Sequence, residues 1–218
     1  ATMVAAGVFL VARLNSVYLL SSVALAILAI VASATMLLAA LAALAQDDYK
    51  RVLAWSTSSQ LAYMLGALAV GGYSAGLFHL LAHGAFKALL FLAAGAIAHA
   101  LGTTMLPDMG GLRRSMPMTY LVSSLGLAAL VGLPPLVGFF SKESVLGAAE
   151  EAALHGGPLP AWSAWLVLLA GLVAGAALVA GPDLVQESGL LTAAIMFGMA
   201  LDVFAWFGGS VLLRPAYL

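Results

Sequence analysis

The chain has 218 residues, of which 64% are hydrophobic and only 8% charged, with a formal net charge of −1; its mean hydropathy is +1.10. Soluble domains carry about 25% charged residues, so an ordinary soluble fold is excluded, and the lack of a basic patch excludes a nucleic-acid binder. Zero cysteines exclude disulfides, thiolate metal sites and cysteine-ligated clusters.

Apolar stretches of about 20 residues, with no alternation of period two, predict an all-α polytopic transmembrane helical bundle rather than a membrane barrel. Residues 1–13 are too short to span at about 1.5 Å per residue and read as the end of a truncated helix closing at Arg13. The chain opens at Ala1-Thr2-Met3 inside an apolar run, so a continuation upstream is expected. Spans are predicted at about 19–45, 52–70 and 74–99. Asp47-Asp48-Tyr49-Lys50-Arg51 reads as a charged turn between the first two, and Gly71-Gly72 separates the second from the third. A polar loop, 102–116, carries Pro107, Gly110-Gly111 and Arg113-Arg114.

The fourth span, 117–151, is interrupted at 134–138. Pro134-Pro135 cannot continue a helix and Gly138 adds freedom. A second helical piece is predicted to start near Ser141, with Ser141 as its cap, and to carry Lys142 and Glu143. Breaks of this kind line cavities and ion paths in transporters. A Gly/Pro loop at 152–160, with Glu150-Glu151 as the solvated helix end before it, leads to a fifth span at 161–180. Gly181-Pro182-Asp183 then precedes an additional span at 188–212, which contains Asp202. Alternating crossings put Lys50, Arg51, Arg113 and Arg114 on one side, predicted to be cytoplasmic, and Arg13 and Arg214 on the other.

The third span carries the chemistry. His79, His83 and Lys87 stand at i, i+4 and i+8, which makes one slowly rotating stripe about 12 Å long. A lysine at mid-span costs roughly 2.5–3.5 kcal/mol on insertion scales, so its presence points to function. A snorkelling lysine is the alternative, and the long apolar flanks on both sides argue against it. A lysine with access to both charge states near neutral pH takes and releases protons, and histidine titrates in the same range. The two histidines read either as proton-relay groups or as hydrogen-bonded core residues. H-x-x-x-H can also hold zinc, but the remaining histidines, His99 and His155, lie near a helix end and in a loop. Lys142 and Glu143 read as functional groups at the break or as a solvated helix start. Ser56-Thr57-Ser58-Ser59-Gln60 reads equally as the lining of a water path or as a row bonding its own preceding turn.

Four segments carry a resemblance: Asp48 to Gln60, Phe78 to Phe91, Met109 to Arg113, and Leu133 to Glu143. In this order they are similar to the antiporter-like, proton-translocating subunits of respiratory complex I (NADH–quinone oxidoreductase), of the chain L or chain 5 type. The resemblance covers roughly residues 1–178. Lys142 favours that type, because chain M carries a glutamate at the corresponding position. The A-type component of multisubunit sodium/proton antiporters shares the Pro-Pro…Ser-Lys-Glu segment and is the alternative.

The resemblance implies two inverted five-helix repeats, with this chain resembling the second, one five-helix transporter repeat with a discontinuous helix. It implies that Lys87 is the central lysine, His79 and His83 are relay groups, and Lys142 with Glu143 form the exit. The family's first-half glutamate–lysine pair and histidine have no counterpart in this sequence, and the long lateral helix expected after the fifth span is not evident. The chain itself is expected to do no redox chemistry and to hold no cofactor. FMN, iron–sulfur clusters, NADH and quinone are expected in partner subunits. The expected partners are other membrane-arm subunits, especially the neighbouring antiporter-like one, and lipid, with no nucleic acid. The expected place is the bacterial plasma membrane, or the mitochondrial inner membrane in eukaryotic relatives. A degenerate copy that only packs in the membrane is a third reading.

Overall fold

In hydrocarbon every backbone N–H and C=O must find a partner within its own segment, and the Ala-, Leu- and Val-rich runs meet that demand as helices. The structure, a computed structural model, describes residues 2–109 and 111–179. The predicted span at 188–212 and Asp202 lie outside the described residues. All regular elements among the described residues are helical: α1 (Thr2–Arg13), α2 (Asn15–Tyr18), α3 (Ser22–Leu44), α4 (Tyr49–Ala69), α5 (Tyr73–Leu101), a 3₁₀ turn at Leu106–Asp108, α6 (Leu112–Ser115), α7 (Pro117–Val131), α8 (Val137–His155) and α9 (Ala161–Val179). α3 and α5 are long and apolar enough to cross a membrane by length and composition.

α4 begins three residues before the predicted start because Asp48 caps it. The Asp48 carboxylate accepts from the Arg51 N–H at 3.1 Å. Lys50 and Arg51 therefore stand on the first turn of α4, not in a free turn. Asp48 also accepts from Thr104 Oγ1 at 2.6 Å, and that hydrogen bond holds its carboxyl below the usual carboxylate value. The Tyr49 N–H donates to the Thr104 carbonyl at 2.9 Å and the Leu106 N–H to the Asp47 carbonyl at 2.8 Å. The chain before α4 and the chain after α5 are thus stapled at one end of the bundle.

The break between α7 and α8 runs from Gly132 to Leu136, two residues earlier than the sequence suggests. Gly132, at φ +93°, closes α7 in the left-handed region that glycine adopts without penalty. Leu136, extended at φ −73° and ψ 153°, then launches α8 at Val137 without a side-chain cap. Ser141 is therefore not the cap of α8; it lies one turn inside. Gly138 is required for packing, since a Cβ there would overlap the Ala129 carbonyl oxygen of α7. α8 also continues to His155, so 152–155 are helical and not loop. There His155 Nδ1 lies 3.5 Å from Glu151, an i, i+4 pair inside the helix.

α4 is the hub. It packs on α3, α5, α8 and α9, and on α1. On one side, α3 and α9 enclose a dry cluster of Leu25, Ala29, Ala69, Ala149, Ala164 and Leu168. On the other, α5 turns its buried face toward α4, α7 and α8. The outer faces expose large apolar side chains such as Val23, Ile27, Leu38, Leu81 and Leu92, as lipid contact requires.

Candidate functional site

The stripe on α5 is buried along its whole length. His79 is 0% exposed, His83 4% and Lys87 2%. Lys87 sits at the middle of α5 and extends toward α4, where its Nζ donates to Ser56 Oγ at 2.9 Å and to the Leu53 carbonyl at 3.2 Å. The same carbonyl also accepts from Thr57 Oγ1 at 2.8 Å. The amine is thus held by neutral oxygens of the neighbouring helix. In a dry environment such dipoles support a charge without neutralising it.

His79 joins three helices. Its Nε2 meets Gln60 Oε1 of α4 at 3.0 Å and its Nδ1 meets Ser141 Oγ of α8 at 2.9 Å. Tyr63 lies edge-on to the ring, with centroids 5.3 Å apart, and its hydroxyl donates to the Lys142 carbonyl at 2.9 Å. His83 follows one turn later, its ring centroid 6.0 Å from that of His79 and 5.3 Å from that of Phe86 in a T-shaped contact. Its Nε2 is buried with no hydrogen-bond partner among the described residues. His83 lies within electrostatic reach of both Lys87 and Lys142.

Lys142 is half-buried near the start of α8. Its ammonium reaches back over the break to the Val131 carbonyl at 3.1 Å. Val131 ends α7, so the cation sits where unsatisfied carbonyls and the helix dipole favour positive charge. Gly132 leaves room for the lysine stem, since a Cβ there would lie 3.3 Å from Lys142 Cδ. Glu143 is the next residue on α8, also half-buried. Lys87, His79, His83 and Lys142 therefore fall in one polar seam between α4, α5, the break and α8. No cluster of three or more His, Asp or Glu among the described residues is placed to hold a metal ion.

Sequence reasoning did not single out Ser56, Gln60, Tyr63 or Ser141 as partners of the stripe. The row 56–60 in fact divides its work. Ser56 and Gln60 serve Lys87 and His79, Thr57 and Ser58 bond their own preceding turn, and Ser59 donates to the Met36 carbonyl of α3 at 3.0 Å. A signal was available: α4 and α5 form a hairpin about Gly71-Gly72, and Ser56 and Lys87 stand at nearly equal distances along the chain from that turn.

The family model for the NADH:quinone oxidoreductase/Mrp antiporter transmembrane domain matches residues 1–157. The chain belongs to this family. NADH-quinone oxidoreductase subunit L of Rickettsia felis is 50% identical over 152 residues, covering 70% of this chain and 24% of that protein. NAD(P)H-quinone oxidoreductase chain 5 of Picosynechococcus sp. is 47% identical over 161 residues, with the same 70% and 24% covered. The chain spans about a quarter of the length of these relatives. Among solved structures, a chain of the Mrp complex from Dietzia sp. superposes with a TM-score of 0.73 at 27% identity, covering 97% of this chain and 24% of that one. A chain of the membrane-bound sulfane sulfur reductase, an archaeal respiratory membrane complex, gives 0.67 at 30% identity, covering 91% and 44%. The NADH:quinone oxidoreductase/Mrp antiporter domain is a membrane helical bundle, and the polar seam of this chain lies inside the matched residues.

Proposed function

We propose that this chain is part of an antiporter-like, L/5-type subunit of an NADH–quinone oxidoreductase and moves protons across a respiratory membrane. The observation that carries the reading is Lys87: an amine 2% exposed at the middle of a spanning helix, cradled by a hydroxyl and a carbonyl. Such a group is costly in hydrocarbon and is retained for ion movement. Lys87 takes up and releases the proton. His83, whose Nε2 is buried without a hydrogen-bond partner among the described residues, passes it on, and Lys142 at the break, with Glu143 beside it, delivers it to the far side. His79 belongs to the same charge-bearing set. Each charge moved works against about 2.3 kcal/mol per 100 mV of membrane potential.

The chain acts as a non-redox translocase. Electron transfer from NADH to quinone, with FMN and iron–sulfur clusters, belongs to partner subunits. The neighbouring antiporter-like subunit passes the drive along the membrane arm, which in bacteria lies in the plasma membrane. Relatives named subunit L or chain 5, at 47–50% identity, favour this reading over the A-type component of a multisubunit sodium/proton antiporter, whose support is the Mrp structure at 27%. Lys87→Ala and Lys142→Ala in the assembled complex are expected to lower proton pumping in sealed vesicles driven by NADH. Wild-type pumping in both variants would refute the assigned roles.

A further inference from the structure

His79 and His83 share a face of α5 but not a situation. Both nitrogens of His79 are closed by protein side chains, Gln60 on one side and Ser141 on the other, and the ring is 0% exposed. A ring held in this way offers no open nitrogen through which water could hand a proton across. His83 does, because its Nε2 is buried without a partner among the described residues.

Counting donors around His79 gives it another part. Gln60 Oε1 only accepts, so Nε2 carries a hydrogen in this arrangement. Ser141 has one hydroxyl proton and two acceptors within reach, His79 Nδ1 at 2.9 Å and the Gly138 carbonyl at 3.2 Å. With a neutral ring, Nδ1 presents a lone pair and the hydroxyl proton points to it. With a cationic ring, Nδ1 is itself a donor to Ser141 Oγ, and the hydroxyl proton turns to Gly138.

We infer that His79, Gln60 and Ser141 form a two-position latch on the break before α8, and that His79 is a positioning residue beside the proton route, not a step along it. The inference rests on the proton-translocation reading above. Ser141 first turns its hydroxyl proton from Nδ1 to the Gly138 carbonyl, which bares the Nδ1 lone pair. A protonated member of the Lys87–His83–Lys142 path then gives up a proton, its own N–H bond breaking as the Nδ1–H bond forms, and takes it back by the same nitrogen in the reverse step, while the serine keeps its proton. The rotation makes or releases a back-bond in the first turn of α8, and such bonds bend helices slightly. That turn is braced by Gly138 against Ala129 of α7, and one turn on it carries Lys142, which spans the break to Val131. The charge of His79 thereby sets the geometry of the residue at the exit.

The test uses the full-length subunit in its assembled complex, with the NADH-driven proton-pumping rate measured in sealed vesicles. Ser141→Ala and Gln60→Met are each expected to lower pumping about fivefold, the scale of one net hydrogen bond, and Ser141→Thr, which keeps a hydroxyl, to restore it. A latch acting only through His79 leaves no further loss when either variant is added to His79→Asn. Additive losses would mean a merely structural role and overturn the inference. So would undiminished or faster pumping in Gln60→Met, the result for a through-relay whose second nitrogen has been opened. Wild-type pumping in Lys87→Ala sinks the translocation reading as a whole; loss there with full pumping in Ser141→Ala and Gln60→Met sinks the latch alone.

Discussion

α3 and α5 are both long, apolar helices able to cross a membrane, and they differ in what they bury. The buried face of α3 is Leu25, Ala29, Ala32, Met36, Ala39, Ala40 and Ala43, with Ser33 as its one polar member. The buried face of α5 holds His79, His83 and Lys87 among alanines and Phe86. Both faces lie against the hub helix α4, which donates from Ser59 to the Met36 carbonyl of α3 and meets α5 with Ser56, Gln60 and the Leu53 carbonyl. Overall hydropathy decides whether a helix can enter the membrane. The one face turned inward decides whether it packs dry or carries a polar seam.

The comparison breaks if the two faces respond alike to truncation. Lys87→Ala is expected to cut pumping about tenfold, equivalent to ~1.4 kcal/mol on the limiting barrier, with the assembled complex recovered in normal yield. Leu25→Ala on α3 should do the reverse. It lowers thermal stability by about 2–3 kcal/mol through the cavity it leaves, while pumping per assembled complex stays within twofold of wild type. A Leu25→Ala complex that assembles fully but pumps as poorly as Lys87→Ala would erase the distinction. Gly138→Ala sharpens it at the break. The new Cβ must displace the Ala129 carbonyl, at a cost of about 1–3 kcal/mol, and both stability and pumping are expected to fall because Lys142 rides on that turn.

Smaller effects lie at the stapled end and on the dry face. Asp48→Ala removes the cap of α4 and is expected to cost about 1 kcal/mol of stability. The folded-state value of Asp48 is depressed below 3.8, so its contribution is complete above that pH and is lost as pH falls through the lower, folded value. A thermal melt of Asp48→Ala against wild type should show the gap at pH 7 and its closure in strong acid. Ser33→Ala is the smallest change. Ser33 Oγ is buried without a hydrogen-bond partner among the described residues, so its removal is neutral or stabilising by up to ~1 kcal/mol. A clear loss of pumping in Ser33→Ala would move part of the function onto α3.

Much of the polar face of α5 was legible because spacing is a local property. Two histidines and a lysine four apart on an apolar helix need no tertiary information to be placed on one stripe, and Pro134-Pro135 next to Gly138 marks a break in any fold. What the stripe bonds to was not local. Ser141 follows a proline break and precedes Lys-Glu, the pattern of a helix cap, yet its hydroxyl is engaged by a histidine 62 residues earlier. Gln60 and Ser56 sat in a run of five polar residues, and only the register of the α4–α5 hairpin separates those that face α5 from those that bond their own turn. The start of α4 was missed for a related reason. Asp48 looks like part of a charged cluster, yet one carboxylate oxygen caps α4 through the Arg51 N–H while Thr104, 56 residues away, holds the other.

The Leu53 carbonyl accepts both the Thr57 hydroxyl and the Lys87 ammonium. A bond from a charged donor is roughly twice as strong as one from a neutral donor, so the stretching frequency of this C=O tracks whether the amine holds its extra proton. Isotopic labelling at this one peptide group would make α4 a vibrational gauge, reading the protonation of Lys87 from a backbone atom that itself never moves a proton.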